Sequence, residues 1–242
     1  MAADNFGFLV IGAGRGGTSL LAGLLDCHER LEVGFEMFSE GYLAGVALPA
    51  AGPDLFEARA GAFVRACVEE AARHPDRIFG NKITTEQLLG LEDHNVANPG
   101  APVDVLDAFF NRQMKGRKIV FILRDGRTCV RSKVARTGQS VEQACARWKY
   151  SAEVYRFLSS RHENNVRIRF EDLVLRPEPT LAGVCAFLGV PYQASMLQGT
   201  RNSKLRPEYR REQFDDSKLA LDDIPPGCID RIRDDLERCG YA

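Results

Sequence analysis

The stretch FLVIGAGRGGTSLL, Phe8 to Leu21, decides the fold because glycines separate a short apolar run from a second apolar run with helical spacing. The first run predicts a buried strand over 6–11, and the second predicts a helix from Thr18 to about Cys27. A strand, a glycine turn and a helix in this order offer free backbone N–H groups and a positive helix end to an anion. Four glycines within six residues are more than a tight turn needs, so we expect an anion-binding loop.

One interpretation of the loop is a dinucleotide site. Gly12, Gly14 and Gly17 satisfy the pattern G-x-G-x-x-G. That pattern also requires an acidic residue near the end of the second strand, and Glu32 or Glu36 could serve. The chain would then be an NAD(P)-dependent oxidoreductase. No later stretch resembles a hydride-transfer site, so this interpretation rests on the glycines alone.

Two other interpretations involve different phosphates. Residues 12–19 nearly satisfy the nucleoside-triphosphate pattern G-x-x-x-x-G-K-[ST], but Thr18 stands where the lysine that reaches the β and γ phosphates is required. The chain also lacks a recognisable pair of acidic residues for magnesium. In the remaining interpretation, a lone arginine inside the loop, Arg15, and the Gly-Gly-Thr-Ser that follows it bind a different anion.

Alternating strands and helices predict an α/β fold with a mostly parallel sheet covered by helices on both faces. Residues 92–102 have the composition of a loop, and residues 199–226 are polar and charged without a clear pattern. Strands are predicted at 6–11, 31–36, 77–84, 118–124 and 166–171, and helices at 18–27, 55–74, 103–114, 127–136, 140–163, 178–188 and 228–238.

Composition excludes several classes of protein. The chain of 242 residues has a net charge of −1, so it lacks the overall basic field that nucleic acid or an anionic membrane would attract. No stretch approaches the roughly 20 apolar residues of a membrane span, and no signal peptide is recognisable. Seven scattered cysteines without a C-x-x-C pair favour reduced thiols in a cytoplasm, and the isolated histidines make a metal site unexpected.

A second stretch, KIVFILRDGRTCVRSKVARTG at 118–138, predicts a site for another phosphate. Arg124 follows the clearest strand of the chain, and Ser132 and Arg136 lie at i and i+4 on the helix after it. Arginine suits this contact because its planar fork donates several hydrogen bonds to phosphate. The remaining cations of that helix are predicted to lie on a solvated face: Arg127, Arg131 and Lys133.

Together, GAGRGGTSLL and FILRDGRTCVRSKVAR resemble the sulfotransferases that use 3′-phosphoadenosine 5′-phosphosulfate (PAPS), most closely the tyrosylprotein branch and its bacterial relatives. The resemblance covers most of residues 6–192 and includes GNK at 80–82 and RFEDLVLRPE at 169–178. It implies a P-loop-like three-layer α/β fold and transfer of a sulfuryl group to a hydroxyl without a metal, with 3′,5′-bisphosphoadenosine (PAP) as product. We expect one domain over 1–242, with its core at 6–192 and a C-terminal segment, residues 193–242, closing over the nucleotide.

The resemblance also implies which residues bind the nucleotide. The loop holding its 5′ end corresponds to Arg15, Gly16, Gly17, Thr18 and Ser19, and the cage for its 3′-phosphate to Arg124, Ser132 and Arg136. This chain departs from the family pattern at Ala13 and Gly14 and at Gly16, where relatives commonly have serine.

For the chemistry, the resemblance implies two cations and a base. Arg15 and Lys82 would stabilise the charge on the leaving oxygen, and Glu36 would take the proton from the acceptor hydroxyl. Because the small-molecule branch usually employs histidine, His94 and His28 are rival bases. A protein that binds the nucleotide without catalysing transfer is a further alternative.

The remaining expectations concern the surroundings of the site. Trp148 is predicted to pack in the core, although it could support the nucleotide pocket, and Phe170 stands where some relatives have a nucleotide-contacting tyrosine. Ser203 and Lys204 could close over the nucleotide. Residues 42–56 and 92–102 would flank the sulfuryl group, and the apolar character of the first fits a phenol, a lipid or a natural-product scaffold. Peptide tyrosine is possible by resemblance, but we expect a small-molecule or carbohydrate hydroxyl as acceptor in a cytoplasm.

Overall fold

A five-stranded parallel sheet forms the centre of the computed structural model, which describes residues 5–48 and 52–241. The strands follow the order β2-β3-β1-β4-β5 across the sheet. Their bounds are β1 Phe6–Gly12, β2 Leu31–Phe35, β3 Ile78–Lys82, β4 Lys118–Leu123 and β5 Asn165–Arg169. The predicted α/β architecture with a mostly parallel sheet is therefore confirmed.

Helices connect the strands, as parallel pairing requires. They are α1 Thr18–Asp26, α2 Leu55–Ala71, α3 Thr85–Leu89, α4 Asp93–Ala97, α5 Val105–Asp107, α6 Gly126–Thr137, α7 Val141–Arg161, α8 Phe170–Leu175, α9 Pro177–Leu188 and α10 Cys228–Arg238. One turn of π-helix, Ala108–Gln113, continues α5. Four 3₁₀ segments complete the set: Gly90–Glu92, Ala194–Arg201, Pro207–Tyr209 and Asp216–Leu219.

The core has two layers because successive side chains of a strand point to opposite faces of the sheet. In β1, Leu9 and Ile11 belong to one cluster of buried side chains, together with Trp148 of α7. Phe8 and Val10 belong to the other cluster, which α1, α8 and α9 cover. Burial on both faces explains why β1 and β4 are almost continuously apolar.

The strand order argues against a dinucleotide fold. A dinucleotide-binding sheet runs 3-2-1-4-5-6, which places the acidic end of β2 beside the glycine turn after β1. Here β3 lies between β1 and β2. Glu32 lies on β2 and Glu36 directly follows it, and β2 does not adjoin β1, so the NAD(P) interpretation loses the acidic neighbour that it requires.

Three predicted elements differ from the structure. Residues 92–102 are not wholly loop, because α4 forms there and buries His94. The last strand ends at Arg169 rather than 171, since α8 turns Phe170 and Leu173 into the core. Residues 199–226, which had no predicted structure, contain the last residues of one 3₁₀ segment and two further short ones.

Three further observations concern the predicted class of protein. Across residues 5–48 and 52–241, no helix is long and apolar enough to cross a membrane. The same residues contain no group of three or more His, Cys, Asp or Glu side chains arranged to hold a metal ion. All seven cysteines are unpaired, and only Cys27 is partly exposed.

Candidate active site

The loop between β1 and α1 is shaped to receive an anion. Gly17 has a φ of +99°, and a Cβ built on it would lie 2.3 Å from the ring of Phe170, so only glycine fits. Arg15 also adopts a left-handed conformation, with a φ of +70°. Helix α1 begins at Thr18 without a side-chain cap or an acidic residue in its first turn, which leaves its N–H groups available for a ligand.

Arg124 lies directly after β4 and is only 5% exposed. Its guanidinium donates to three neutral oxygens: Thr128 Oγ1 at 2.9 Å, the Arg15 carbonyl at 3.1 Å and the Lys218 carbonyl at 2.7 Å. Burial lowers the pKa of Arg124, and no ion pair with a carboxylate forms in the described part of the chain. This buried cation therefore favours an anionic ligand.

Three neighbours hold Arg124 in place. The Trp148 indole donates to the Arg124 carbonyl at 3.0 Å, and the next backbone N–H, that of Asp125, donates to Glu171 at 2.9 Å. The guanidinium lies over the ring of Phe170, 4.5 Å from its centre. Trp148 thus packs in the core as predicted and also positions the strand end, while RFED at 169–172 supports Arg124 through Phe170 and Glu171.

Helix α6 brings its predicted residues to the same place. Arg15 Nε donates to Ser132 Oγ at 3.2 Å, and Ser132 and Arg136 line one cleft with Arg124. The other cations of α6 do not form a solvated face, contrary to prediction. Lys133 is buried beside Glu86, Arg127 pairs with Asp125, and Arg131 pairs with Asp222.

The C-terminal segment closes one side of this cleft. The ring of Tyr209 lies 4.8 Å from the Arg15 guanidinium carbon, and Lys218 lines the cleft while pairing with Asp215. Lys204 does not face the cleft, because it pairs with Asp26 and Glu32 beside β2. The cleft is lined by residues of the loop, of α1, α6 and α8, of the end of β4 and of the C-terminal segment: Arg15, Gly17, Thr18, Ser19, Leu20, Arg124, Ser132, Arg136, Phe170, Val174, Thr200, Leu205, Glu208, Tyr209, Arg211, Gln213, Phe214, Asp215 and Lys218.

Glu36 and Lys82 meet at the ends of the neighbouring strands β2 and β3. The Glu36 N–H donates to the Lys82 carbonyl at 2.7 Å, and the Lys82 ammonium pairs with Glu36 Oε1. Lys82 is only 2% exposed and is not a surface lysine. Burial lowers the pKa of Lys82, and Glu36 partly offsets this effect.

Gln87 fixes the other oxygen of Glu36. Its amide donates from Nε2 to Glu36 Oε2 at 2.9 Å, and its Oε1 accepts from the Thr84 N–H at 2.8 Å at the start of α3. Each carboxylate oxygen has a further lone pair, so Glu36 can still accept a proton from a hydroxyl.

The turn that carries Glu36 is strained. Glu36 and Phe38 have φ angles of +58° and +66°, which side-chain-bearing residues adopt at a cost. Asn81, fully buried next to Lys82, holds the turn by accepting from the Met37 N–H at 3.3 Å and donating to its carbonyl at 2.7 Å. The GNK sequence therefore supplies both the lysine and the clamp for the carboxylate.

The two rival histidines are engaged elsewhere. His28 is 1% exposed; its Nδ1 accepts from the Arg30 N–H at 3.0 Å, and its Nε2 lies 2.8 Å from the Pro191 carbonyl. His94 is 4% exposed, and its Nδ1 accepts from the Phe56 N–H at 3.4 Å. Both rings hold segments of chain together, so neither is available as a base.

The two segments predicted to flank the acceptor lie against each other, although residues 49–51 of the first are outside the described residues. Arg59 of α2 donates to the carbonyls of Leu48 and Gly90, at 3.1 and 2.8 Å, and pairs with Asp93 at 2.8 Å. Asn98 donates to the Gly52 carbonyl at 3.0 Å. These bonds tie the two segments to α2 and to each other.

Sequence reasoning missed four supporting residues. Asn81 and Gln87 act on the Glu36 turn, Glu86 contacts the β1–α1 loop, and Tyr209 covers Arg15. The position of Asn81 beside Lys82 and the spacing of Glu86 four residues after Lys82 were available signals. Nothing local marked Tyr209, since its contact spans almost the whole chain.

Comparison with known proteins gives a partial match to one family. Residues 111–194, about a third of the chain, match the model of a family described as the sulfotransferase family. This match includes Arg124, Ser132 and Arg136, but not the β1–α1 loop or Glu36. No curated protein matches the chain in sequence.

Solved structures extend the similarity over the whole chain at the level of the fold. A sulfotransferase domain from the curacin biosynthetic pathway is 16% identical, covers 97% of each chain and has a TM-score of 0.65. The sulfotransferase domain of the Synechococcus PCC 7002 olefin synthase is 16% identical, with 98% of this chain and 94% of that chain covered and a TM-score of 0.67. Mouse sulfotransferase SULT7A1 complexed with PAP is 13% identical, with 100% and 91% covered and a TM-score of 0.52.

Proposed function

Because residues 111–194 match the sulfotransferase family model and the fold resembles that of solved sulfotransferases, we propose that the chain transfers the sulfuryl group of PAPS to a hydroxyl of a small-molecule, carbohydrate or phenolic acceptor. One observation carries the choice of donor: Arg15, Arg124 and Arg136 line a single cleft without forming ion pairs to carboxylates of the described chain. A ligand with phosphate groups at both ends would complement these charges. The PAP complex of the mouse neighbour gives independent support.

In this proposal the two ends of the nucleotide bind different elements. The loop residues Arg15 to Ser19 and the first N–H groups of α1 hold the 5′ end. Arg124, Ser132 and Arg136 hold the 3′-phosphate from the end of β4 and from α6. All of these residues lie at the carboxyl edge of the parallel sheet, where ligands of open α/β folds bind.

The transfer step is an in-line displacement. The acceptor oxygen forms a bond to sulfur while the bond between sulfur and the 5′-phosphate oxygen breaks, and its electron pair stays on that phosphate oxygen. Glu36 takes the hydroxyl proton, and Arg15 and Lys82 stabilise the charge that develops on the leaving oxygen. Two positioned cations can supply this stabilisation because sulfuryl transfer, like phosphoryl transfer, depends mainly on positioning and electrostatics.

The surroundings of Glu36 support an acceptor with apolar surface. Met37, Phe38 and Tyr42 are only partly buried, and the rings of Phe38 and Tyr42 stack at 6.5 Å. Half-buried aromatic side chains beside a base favour flat or apolar acceptors, because such rings bury large areas on contact. A phenol fits these properties best among the acceptor classes considered.

Ligand-induced stabilisation tests the donor. A ligand at about 100 times its dissociation constant adds about 2.7 kcal/mol, which corresponds to a midpoint shift of about 2–4 °C per kcal/mol for a chain of this size. We expect PAP to raise the unfolding midpoint, and NADPH or ATP with magnesium to leave it nearly unchanged. A rise with NADPH and none with PAP would refute the proposal in favour of the oxidoreductase alternative.

A transfer assay separates the enzyme from a non-catalytic binder. Radiolabelled PAPS would be incubated with a panel of phenols and simple sugars, and the labelled products would be resolved chromatographically. We expect label on at least one phenol. If the protein binds PAP but transfers label to none of these acceptors, and Glu36→Gln behaves in the same way, a non-catalytic nucleotide-binding protein would be favoured.

A further inference from the structure

A carboxylate is built into the loop proposed to hold the 5′ end of the nucleotide. The N–H of Gly14 donates to Glu86 Oε2 at 2.8 Å. A Cβ built on Gly14 would lie 3.1 Å from the other oxygen of this carboxylate, so the glycine allows the close approach. Glu86 thus anchors the loop one residue before Arg15. Its negative charge would also oppose the binding of an anion there.

Lys133 neutralises this charge. Its ammonium pairs with Glu86 Oε1, and both side chains are withdrawn from solvent, with exposures of 3% for Lys133 and 14% for Glu86. Lys133 lies on α6 immediately after Ser132, which itself accepts a hydrogen bond from Arg15. The Glu86–Lys133 pair therefore connects the loop to the helix that bears the proposed 3′-phosphate residues.

The pair also lies close to the proposed chemistry. Glu86 belongs to α3, which begins three residues after Lys82, and its charge favours the protonated form of Lys82. Two buried lysines, Lys82 and Lys133, are thus each matched by a carboxylate, Glu36 and Glu86. Such matching is the condition under which charges are tolerated away from water.

We infer that Glu86 and Lys133 are positioning residues for the nucleotide: Glu86 anchors the loop through Gly14, and Lys133 cancels the charge of Glu86 so that the anchor does not repel the bound anion. The inference rests on the proposed function. It predicts that only one of the two single substitutions, that of Lys133, weakens nucleotide binding.

This prediction is tested by measuring the affinity for PAP calorimetrically in the wild type, the two single variants and the double variant. Lys133→Met leaves an uncancelled carboxylate beside the loop, and we expect it to weaken binding about 10-fold or more. Glu86→Gln keeps an oxygen for the Gly14 N–H and leaves the lysine charge, so binding should equal or exceed that of the wild type. The double variant Glu86→Gln/Lys133→Met should regain wild-type affinity to within about 3-fold, because both charges are absent.

The controls distinguish this inference from the proposed function. Lys115→Met removes an exposed lysine at the opposite edge of the sheet, before β4, and should leave binding unchanged. Unfolding midpoints of all variants would identify any loss of folding, and the charge-free double variant keeps the test interpretable if Lys133→Met is unstable. If Glu86→Gln weakens PAP binding as much as Lys133→Met does, the inference is overturned and the proposed function is unaffected. If the wild type fails to bind PAP, both the inference and the proposed function are overturned.

Discussion

The two halves of the candidate site differ in whether their cations are paired with carboxylates. On the nucleotide side, Arg15, Arg124 and Arg136 line a cleft without carboxylate partners in the described chain. On the acceptor side, Lys82 is buried against Glu36, and Gln87 fixes the second oxygen of Glu36. Unpaired cations indicate a ligand that brings its own negative charge. The Lys82–Glu36 pair is instead compensated within the protein, which is compatible with the proposed roles of both groups in the transfer step.

Burying an unpaired cation lowers the stability of the fold, and a bound anion would restore it. A buried guanidinium without a carboxylate is less stable than a paired one, and among the described residues the Arg124 guanidinium contacts neutral oxygens and the face of Phe170. A ligand that supplies an anion would remove this cost and stabilise the fold. The Lys82–Glu36 pair needs no ligand for its stability, so substitutions there should affect chemistry more than nucleotide binding.

The largest effect is expected from Glu36→Gln. The amide cannot take a proton, and removal of a general base typically lowers a rate about 10²–10⁴-fold. We expect kcat for sulfuryl transfer to fall by that range while the affinity for PAP stays within about 3-fold of wild type. The matched control is Glu40→Gln, an exposed carboxylate four residues later, which should retain full activity. An active Glu36→Gln protein would remove Glu36 from the role of base.

Arg124→Lys should have the next largest effect, and on binding rather than on kcat. Lysine keeps the charge but cannot form the planar fork that reaches Thr128, the Arg15 carbonyl and a phosphate together. Since a hydrogen bond to a charged group contributes about 1.5–3 kcal/mol, losing one should weaken PAP binding about 10- to 150-fold. Equilibrium binding by calorimetry measures this. Unchanged affinity would place the 3′-phosphate elsewhere.

The pH dependence of the rate should report Lys82. Burial lowers its pKa, so the ammonium loses its proton at a lower pH than an ordinary lysine. If the protonated form stabilises the leaving oxygen, kcat should fall as pH rises through this lowered pKa. Lys82→Arg keeps a group that stays protonated, and its profile should lack this alkaline decline. A decline that persists in Lys82→Arg would assign the titration to another group, such as the acceptor.

Local patterns in the sequence predicted much of the fold because the strands are buried on both faces. The continuous apolar runs of β1 and β4 and the helical spacing of α1 and α7 leave little choice of structure. The α4 helix was missed because it depends on His94, whose buried contacts join segments far apart in the chain. Helix α8 was missed as well, and its first residue, Phe170, is buried against Gly17 and Arg124, which lie far away in the chain.

For the site, the sequence predicted the residues that project from strand ends and helix starts but not the residues that hold them. Arg124, Ser132 and Arg136 have a spacing that local geometry explains, and the structure brings them to one cleft. Lys133 was predicted to be solvated because its partner, Glu86, lies 47 residues away in the chain. Spacing on one helix cannot show which face another helix will cover.

The smallest effect is expected from Arg136→Ala. Arg136 is exposed at the rim of the cleft, and water and salt weaken its attraction to a phosphate. We expect a loss of PAP affinity of about 2- to 5-fold at low salt that disappears near 0.5 M salt, where the Debye length is only about 4 Å. The control Arg112→Ala removes an exposed arginine shortly before β4, at the opposite edge of the sheet, and should change nothing. If the loss of PAP affinity persists at high salt, Arg136 must contact the nucleotide as closely as the buried Arg124 does. The contrast between a buried and an exposed half of the phosphate cage would then disappear on binding.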